Sequence, residues 1–235
     1  MPQLVVAPAK LTRSLRITGV RADGYHLLDA EMLSLDLVDT LTFTDGDGLE
    51  VRDAAPDVPL DDDNLVRRAL ALAGRTAHVM LDKCIPPGAG LGGGSSDAAA
   101  VLRWAGVTDV GLAAELGADV PFCLVGGRAR VTGVGEQLEP LPFEALTFTL
   151  LTPRIRCATP DVYRAWDALG GPKADGPNDL EPAALVVAPE LARWRDRLAE
   201  ATGQTPILAG SGSTWFVAGA HEGDGLVVVH TVPAV

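Results

Sequence analysis

The residues best suited to chemistry lie in one glycine-rich stretch, residues 86–100, with the sequence PPGAGLGGGSSDAAA. Five glycines, at positions 88, 90, 92, 93 and 94, precede Ser95, Ser96 and Asp97. Glycine allows backbone angles and close approaches that a Cβ would prevent, whereas Ser and Asp commonly begin helices. A glycine loop that leads into a helix N-terminus presents unpaired N–H groups and the positive end of the helix dipole. The stretch therefore predicts a phosphate-binding loop.

Two common phosphate-binding motifs do not describe this loop. The Walker motif requires Lys before Ser or Thr, but Gly94 precedes Ser95. The letters of the dinucleotide motif occur from Gly88 to Gly93, but no acidic residue follows a clear strand at the distance that ribose binding requires. A plain flexible turn is the simpler alternative, although so many glycines lose much conformational entropy when a connector is ordered. The pattern favours a nucleotide-phosphate site of a third kind.

Three shorter segments carry further candidate residues: APAK at 7–10, DGYH at 23–26 and GADVPF at 117–122. Each also has a purely structural interpretation. A lone Lys10 is typically a solvated surface residue, and an aspartate such as Asp119 before an apolar segment is typically a helix cap. After the Asp-Gly turn, Tyr25 could pack on the core while His26 faces solvent.

Taken together and in this order, these segments resemble the motifs of the GHMP kinases, the superfamily of galactokinase, homoserine kinase, mevalonate kinase and phosphomevalonate kinase. The resemblance extends over residues 7–217 and includes NDLEP at 178–182 and SGST at 211–214. The DGYH segment is similar to the branch of the superfamily that phosphorylates 4-diphosphocytidyl-2-C-methyl-D-erythritol. The resemblance implies an ATP-dependent kinase that acts on the 2-hydroxyl of this cytidine diphosphate-linked methylerythritol in non-mevalonate isoprenoid biosynthesis.

The resemblance also implies a role for each motif. Lys10 and Asp119 would form the catalytic pair, with Asp119 as the base, while Tyr25 would stack on the cytosine and His26 would bind its edge. The loop would bind ATP through Pro86, Gly88, Gly90, Leu91, Gly92, Gly93, Gly94, Ser95 and Ser96. Ser96 would also contribute to the shell of Mg²⁺, which takes few protein ligands.

One departure from the family motif lies beside Lys10. Thr12 and Arg13 follow the lysine, at the place where the family usually has Asn two residues beyond it. Two alternatives therefore stay open. The chain could be another GHMP-type kinase with a homoserine or sugar acceptor, or a catalytically impaired relative that binds nucleotides.

The expected architecture is α+β, a two-domain GHMP kinase fold with mixed and antiparallel sheets, helices, and the active site in the cleft between the domains. A composition change near Leu146 predicts an N-terminal ATP-binding domain over 1–146 and a C-terminal domain over 147–235. Alternation over 33–43 predicts strands of an antiparallel sheet, and residues 49–52 a return strand before a loop at 54–59. The acidic residues 61–64 favour capping of a helix at 65–73 over a metal site. A further helix is predicted from Ser96 to Gly106.

Composition limits the classes of partner. The formal charge of −12 over 235 residues argues against nonspecific binding of nucleic acids, which requires a basic surface. No apolar run approaches the length of a membrane span. Three widely separated cysteines, without a secretory signal before them, favour reduced thiols in a cytoplasmic protein. The expected partners are therefore ATP and the small-molecule substrate, with no nucleic acid and no membrane, in a monomer or weak homodimer.

Overall fold

The structure, a computed structural model, describes residues 1–52 and 59–234. Its longest feature is an antiparallel hairpin of β1 (Gln3–Val20) and β2 (His26–Thr44), which turns at the predicted Asp-Gly pair. The pairing shifts register between Pro8 and Lys10 and again between Thr12 and Ser14. Lys10 thus lies between two irregularities, and its backbone N–H donates to the Leu91 carbonyl at 2.9 Å.

This hairpin belongs to a six-stranded sheet. Its other strands are β3 (Gly48–Arg52), β4 (His78–Asp82), β5 (Arg128–Gly133) and β6 (Gln137–Pro140). The order is β3-β4-β2-β5-β6, with β1 on β2. The predicted return strand exists as β3, but it pairs in parallel with β4 and not with β2. The predicted loop at 54–59 lies outside the described residues except for Pro59.

Four helices share the core of this sheet: α1 (Leu65–Leu72), α2 (Gly93–Ala105), α3 (Val110–Ala114) and α4 (Val120–Val125). Of these, α2 and α4 contact β1, while α1 packs on α2 and α3 on α4. Asn64 caps α1, as predicted, by accepting a hydrogen bond from the Val66 N–H at 2.8 Å. Val66, Ala69 and Leu70 form the buried face of α1, and Leu65 packs at the edge of the same core. The core beneath is formed by side chains such as Phe43, Val79 and Leu102.

The second half of the chain builds a four-stranded antiparallel sheet. Its strands are β7 (Thr147–Leu151), β8 (Ile207–Leu208), β9 (Trp215–Ala218) and β10 (Leu226–His230), in the order β10-β7-β9-β8. Its helices are α5 (Thr159–Ala168), α6 (Glu181–Val187) and α7 (Leu191–Thr202). Leu15 and Ile17 of β1 belong to the same core cluster as Leu198 and Trp215. The hairpin therefore takes part in both halves.

The predicted α+β class with antiparallel and mixed sheets is confirmed. One helix start was predicted wrongly: α2 begins at Gly93, and its N-cap is Gly92, in the left-handed conformation at φ 69°. Ser96 and Asp97 lie inside the helix and are buried, because their side chains bind partners other than the helix start. No helix within residues 1–52 and 59–234 combines the length and apolar character that a bilayer crossing needs.

Candidate active site

The structure brings together the two residues predicted to be catalytic. Lys10 projects from β1 and is only 5% exposed. Its Nζ lies 3.2 Å from Oδ2 of Asp119, whose side chain is 32% exposed. Asp119 occupies the N-cap position of α4, but its side chain makes no capping hydrogen bond. The carboxylate is therefore not used as a helix cap, and it is paired with an ammonium group while still reachable from solvent.

Thr12 supplies a second partner for this lysine. The Nζ of Lys10 donates to Oγ1 of Thr12 at 3.1 Å, and Thr12 is 2% exposed. Arg13 lies apart from the pair, since its guanidinium contacts Glu31 at 3.2 Å. At the position where the family usually has Asn, the hydroxyl of Thr12 thus accepts a hydrogen bond from the ammonium group.

The glycine loop lies directly against Lys10. A Cβ added to Gly92 would be 2.6 Å from Cγ of Lys10, and one added to Gly90 would be 2.5 Å from the Ala209 carbonyl oxygen. Both glycines have positive φ, at 79° for Gly90 and 69° for Gly92, which other residues rarely adopt. No side chain fits at either position, and the backbone itself forms the surface beside the lysine.

The start of α2 leaves backbone donors at this surface. The first intrahelical bond runs from the Ser96 N–H to the Gly92 carbonyl at 2.8 Å. The N–H groups of Gly93, Gly94 and Ser95 precede it, and so have no helical carbonyl to bind. Together with the positive end of the dipole, these donors suit a phosphate group. The geometry fits the phosphate-binding loop that the sequence predicts.

The predicted loop residues differ in accessibility. Pro86, Gly88 and Gly94 are exposed, and Gly90, Gly92 and Ser95 are partly exposed, whereas Leu91, Gly93 and Ser96 are buried. The hydroxyl of Ser96, predicted as a magnesium ligand, donates to the Pro8 carbonyl. This bond fixes α2 to β1 and turns the hydroxyl away from the loop surface. The Ser95 hydroxyl is the more accessible one.

A second glycine turn, residues 210–214, closes the site from the C-terminal sheet. A Cβ on Gly210 would be 3.6 Å from the Nζ of Lys10, and the Thr214 N–H donates to the Ala89 carbonyl at 3.1 Å. Asn178 holds this turn, because its Nδ2 donates to the Leu208 and Gly210 carbonyls at 2.8 and 2.7 Å. The resemblance to the family includes the segment that contains Asn178 but implies no role for it.

Tyr25 and His26 are placed differently from each other. Tyr25 is 63% exposed, so its ring is not packed on the core. The side chain of His26 is 9% exposed and its Nε2 lies 2.8 Å from Oδ1 of Asp167. The ring of His26 lies 4.7 Å from Tyr163 and 5.4 Å from Trp166, centroid to centroid. The structural interpretation of the motif had His26 facing solvent. In the structure its side chain is instead largely covered by these partners.

Sequence reasoning missed these aromatic partners on α5. The ring of Tyr163 contacts that of His26, and burial and then the charge of Asp119 raise the pKa of Tyr163. The spacing of Tyr163, Trp166 and Asp167 puts them on one face of a helix, and this was the only signal in the sequence. Nothing in the sequence indicates that this helix face meets His26, which lies more than a hundred residues earlier.

Beneath the loop lies a buried charge cluster. Lys83 bonds to Asp39 and, at 2.8 Å, to Oδ2 of Asp97. A Cβ on Gly93 would be 3.1 Å from the Lys83 Nζ, so the cluster directly supports the loop. Burial raises the pKa of Asp97 to about 7, against the opposing effect of the Lys83 charge. Within residues 1–52 and 59–234, no group of three or more acidic, His or Cys side chains is suited to hold a metal ion.

Comparison with known proteins agrees with this geometry. Residues 64–127 match the GHMP kinases N terminal domain. A 4-diphosphocytidyl-2-C-methyl-D-erythritol kinase of Paracoccus denitrificans is 40% identical over 231 residues, covering 89% of this chain and 84% of that protein. The corresponding kinase of Nitrobacter hamburgensis is 35% identical over 271 residues, covering 96% of this chain and 89% of that protein.

Solved structures show the same relationship. A crystal structure of 4-(cytidine 5'-diphospho)-2C-methyl-D-erythritol kinase superposes with a TM-score of 0.76 at 34% identity, covering 98% of this chain and 99% of that one. A homoserine kinase from Cytophaga hutchinsonii gives a TM-score of 0.66 at 19% identity, covering 99% of this chain and 95% of that one. The second similarity concerns the fold alone.

Proposed function

Because this chain belongs to the 4-diphosphocytidyl-2-C-methyl-D-erythritol kinase family of the GHMP kinases, we propose that it transfers the γ-phosphate of ATP to the 2-hydroxyl of 4-diphosphocytidyl-2-C-methyl-D-erythritol. The observation that carries the proposal is the 3.2 Å contact between Lys10 and Asp119 beside the glycine loop, where the first N–H groups of α2 have no helical carbonyl to bind. A carboxylate, an ammonium group and a phosphate cradle are the parts that this transfer requires.

In the proposed mechanism each residue acts on one part of the reaction. The backbone N–H groups of Gly93, Gly94 and Ser95 bind the ATP phosphates. Asp119 accepts a hydrogen bond from the 2-hydroxyl, orients its oxygen towards the γ-phosphorus and takes its proton. Lys10, placed by Thr12 and by the backbone of Gly92, stabilises the negative charge that is shared between the attacking oxygen and the moving phosphoryl group.

We assign the magnesium contact to Ser95 and not to Ser96, since the Ser96 hydroxyl is buried and bound to Pro8. The oxygen donors at the loop fit Mg²⁺, which keeps several waters and binds through few protein groups and the nucleotide phosphates. When bound, the ion would neutralise charge on those phosphates.

We place the cytidine end of the substrate at Tyr25 and His26. Tyr25 offers an exposed ring for stacking, which is worth about 1–3 kcal/mol per base. Asp167 occupies Nε2 of His26, and Nδ1 has no hydrogen bond to any described residue, so Nδ1 is left for the base. Tyr163 supports this placement, because its ring contacts His26 and the charge of Asp119 contributes to its raised pKa.

The remaining expectations stay proposals with their own support. The boundary between 146 and 147 is supported by the two separate sheets on either side of it. A cytoplasmic location and a monomer or weak homodimer rest on composition alone.

Release of ADP tests the proposal. The wild-type chain should release ADP with 4-diphosphocytidyl-2-C-methyl-D-erythritol, but not with homoserine or galactose. Asp119→Asn should lower kcat by about 10²–10⁴-fold and leave ADP affinity unchanged. Asp109→Asn is the matched control, because Asp109 also precedes a short helix but does cap it, with 2.8 and 3.2 Å bonds. It should keep full activity.

Three results would contradict parts of the proposal. Turnover with homoserine or galactose in place of the cytidylyl substrate would favour the other GHMP kinases. ADP binding without turnover of any acceptor would favour the catalytically impaired relative. Normal turnover of Asp119→Asn would remove Asp119 from its role.

Tyr25→Ala tests whether the substrate is recognised through its cytidine. It should raise KM for the cytidylyl substrate about tenfold, because the stacking contact is lost.

A further inference from the structure

Arg156 lies at the edge of the glycine loop, and the mechanism above does not use it. A Cβ on Gly88 would be 3.7 Å from Cγ of Arg156, in ordinary van der Waals contact. The arginine is exposed. No ion pair or hydrogen bond joins its guanidinium to any residue in 1–52 or 59–234. Its aliphatic stem therefore packs on the loop while its charged end is free.

The backbone that carries Arg156 is held in place. Residues 152–158 have no regular secondary structure, but side chains tie both ends to the second glycine turn. Thr152 bonds to Thr214 at 3.0 Å, Ser213 donates to the Pro153 carbonyl at 3.2 Å, and Thr159 bonds to Ser211 at 2.9 Å. These contacts fix the backbone from which the arginine projects, so this segment need not be ordered when a ligand binds.

The charge of the chain makes this free arginine informative. The formal charge is −12, and carboxylates elsewhere pair with arginines, as at Arg16, Arg128 and Arg130. Beside the loop there is instead a guanidinium with all its donors available. Its planar fork matches two phosphate oxygens, as an ammonium group does not. A phosphate group bound to the loop would offer this fork the oxygens that no carboxylate supplies here.

We propose that Arg156 binds a phosphate oxygen of the nucleotide held by the glycine loop. The inference rests on the proposed function, which places the ATP phosphates on this loop. Arg156 then adds a side-chain cation from the C-terminal half to the backbone donors of the N-terminal half. The two halves together enclose the nucleotide phosphates, with Lys10 beneath them and Arg156 at their open edge.

Calorimetric titration of ADP tests the contact without turnover. Arg156→Gln should weaken ADP binding about tenfold, because a hydrogen-bonded contact between charges is lost. Arg156→Lys should lie between Arg156→Gln and the wild type, since it keeps the charge but not the fork. Arg154→Gln is the matched control: Arg154 is exposed on the same segment, and its loss changes the net charge equally, so it should bind ADP as the wild type does.

A second ligand, CDP, distinguishes the phosphates of the loop nucleotide from those of the cytidylyl substrate. CDP carries the same diphosphate at the cytidine end of the substrate, and its affinity should be equal in Arg156→Gln and the wild type. A loss for CDP with ADP unchanged would overturn the assignment to the loop nucleotide. Equal losses in Arg156→Gln and Arg154→Gln would overturn the contact in favour of a general charge effect. If the wild type is active and Arg156→Gln binds ADP with unchanged affinity, this inference alone is refuted. If the wild type binds no ADP, the proposed function is refuted as well.

Discussion

Asp97 shows how much of the loop's support depends on single buried groups. Its Oδ2 bonds to Lys83, while its Oδ1 has no hydrogen-bond partner among the described residues. Asp39 is better satisfied, because its Oδ1 accepts from the Cys84 and Ile85 N–H groups at 2.6 and 2.8 Å. Two carboxylates thus share one ammonium group below the phosphate loop, and Asp97 is the one held less firmly.

The pH dependence of stability should reveal this aspartate. In the folded protein the pKa of Asp97 is about 7, raised from its usual 3.8. Between those pH values the folded state binds more protons than the unfolded state, so the Asp97 contribution to the free energy of unfolding falls as pH rises. Asp97→Asn should therefore gain stability relative to the wild type as pH rises from about 4 to about 7. The difference should be up to about 4 kcal/mol.

Urea denaturation from pH 4 to 8 measures this difference, and Asp62→Asn serves as the control. Asp62 is exposed, so its substitution should leave the pH profile of the wild type unchanged. If the profiles of Asp97→Asn and the wild type stay parallel over this range, Asp97 does not titrate as described.

The same residue shows where sequence reasoning stopped. Ser95, Ser96 and Asp97 are the types that start helices, and the sequence therefore predicted a start among them. The glycines before them already fold into the helix, and the side chains of Ser96 and Asp97 bind Pro8 and Lys83. Such partners depend on tertiary packing, which local propensity does not contain. The motifs predicted which residues would meet; they did not predict what each side chain would bind.

At the scale of elements, the site depends on Asn178 and the turn that it holds. Asn178 is 1% exposed and satisfies the carbonyls of Leu208 and Gly210. A Cβ added to Gly210 would in turn lie 3.6 Å from both Nζ of Lys10 and Oγ1 of Thr12. The NDLEP segment could be recognised from sequence, but its task could not, because the turn that it supports is some thirty residues further along the chain.

Asn178→Ala should therefore affect stability and catalysis together. It leaves two buried carbonyls unpaired, which we expect to cost about 2–4 kcal/mol in the free energy of unfolding. Loosening of the turn should also lower kcat, since the surroundings of Lys10 change. Urea denaturation and ADP release, measured under conditions where both proteins are folded, give the two quantities.

Thr231→Val is the control for this variant. Thr231 is also buried and bonds to the Glu144 carbonyl and the Leu146 N–H at 2.7 and 2.8 Å, but it touches no residue of the site. Its substitution should destabilise the protein and leave kcat intact. A kcat for folded Asn178→Ala equal to that of the wild type would limit Asn178 to a structural role.

At the scale of the whole molecule, the two halves are joined by the first hairpin. Asp179 is fully buried and accepts hydrogen bonds from the Arg16 guanidinium at 2.7 Å and from the N–H groups of Ile17 and Ala174 at 3.0 and 3.1 Å. Leu15 exchanges backbone bonds with Pro177 and Asp179, both at 2.9 Å. The strand that carries Lys10 is thereby fixed to the C-terminal half, and so Lys10 stays between the glycine loop and the second glycine turn.

This junction should make the chain unfold as one unit, in spite of the two domains proposed for it. Leu15 and Ile17 are nine-tenths or more buried in the C-terminal core, so neither half can keep its apolar surface covered alone. Wild-type hydrogen exchange should give equal opening free energies for β4 and β9. Asp179→Ala should lower the overall stability by about 3 kcal/mol and allow β9 to open before β4.

Exposed Asp175 provides the matched control, since Asp175→Ala removes a carboxylate from the same loop and should leave both strands opening together. If β4 and β9 already open at different free energies in the wild type, the hairpin does not couple the two halves, and the position of Lys10 must be set by the N-terminal sheet alone.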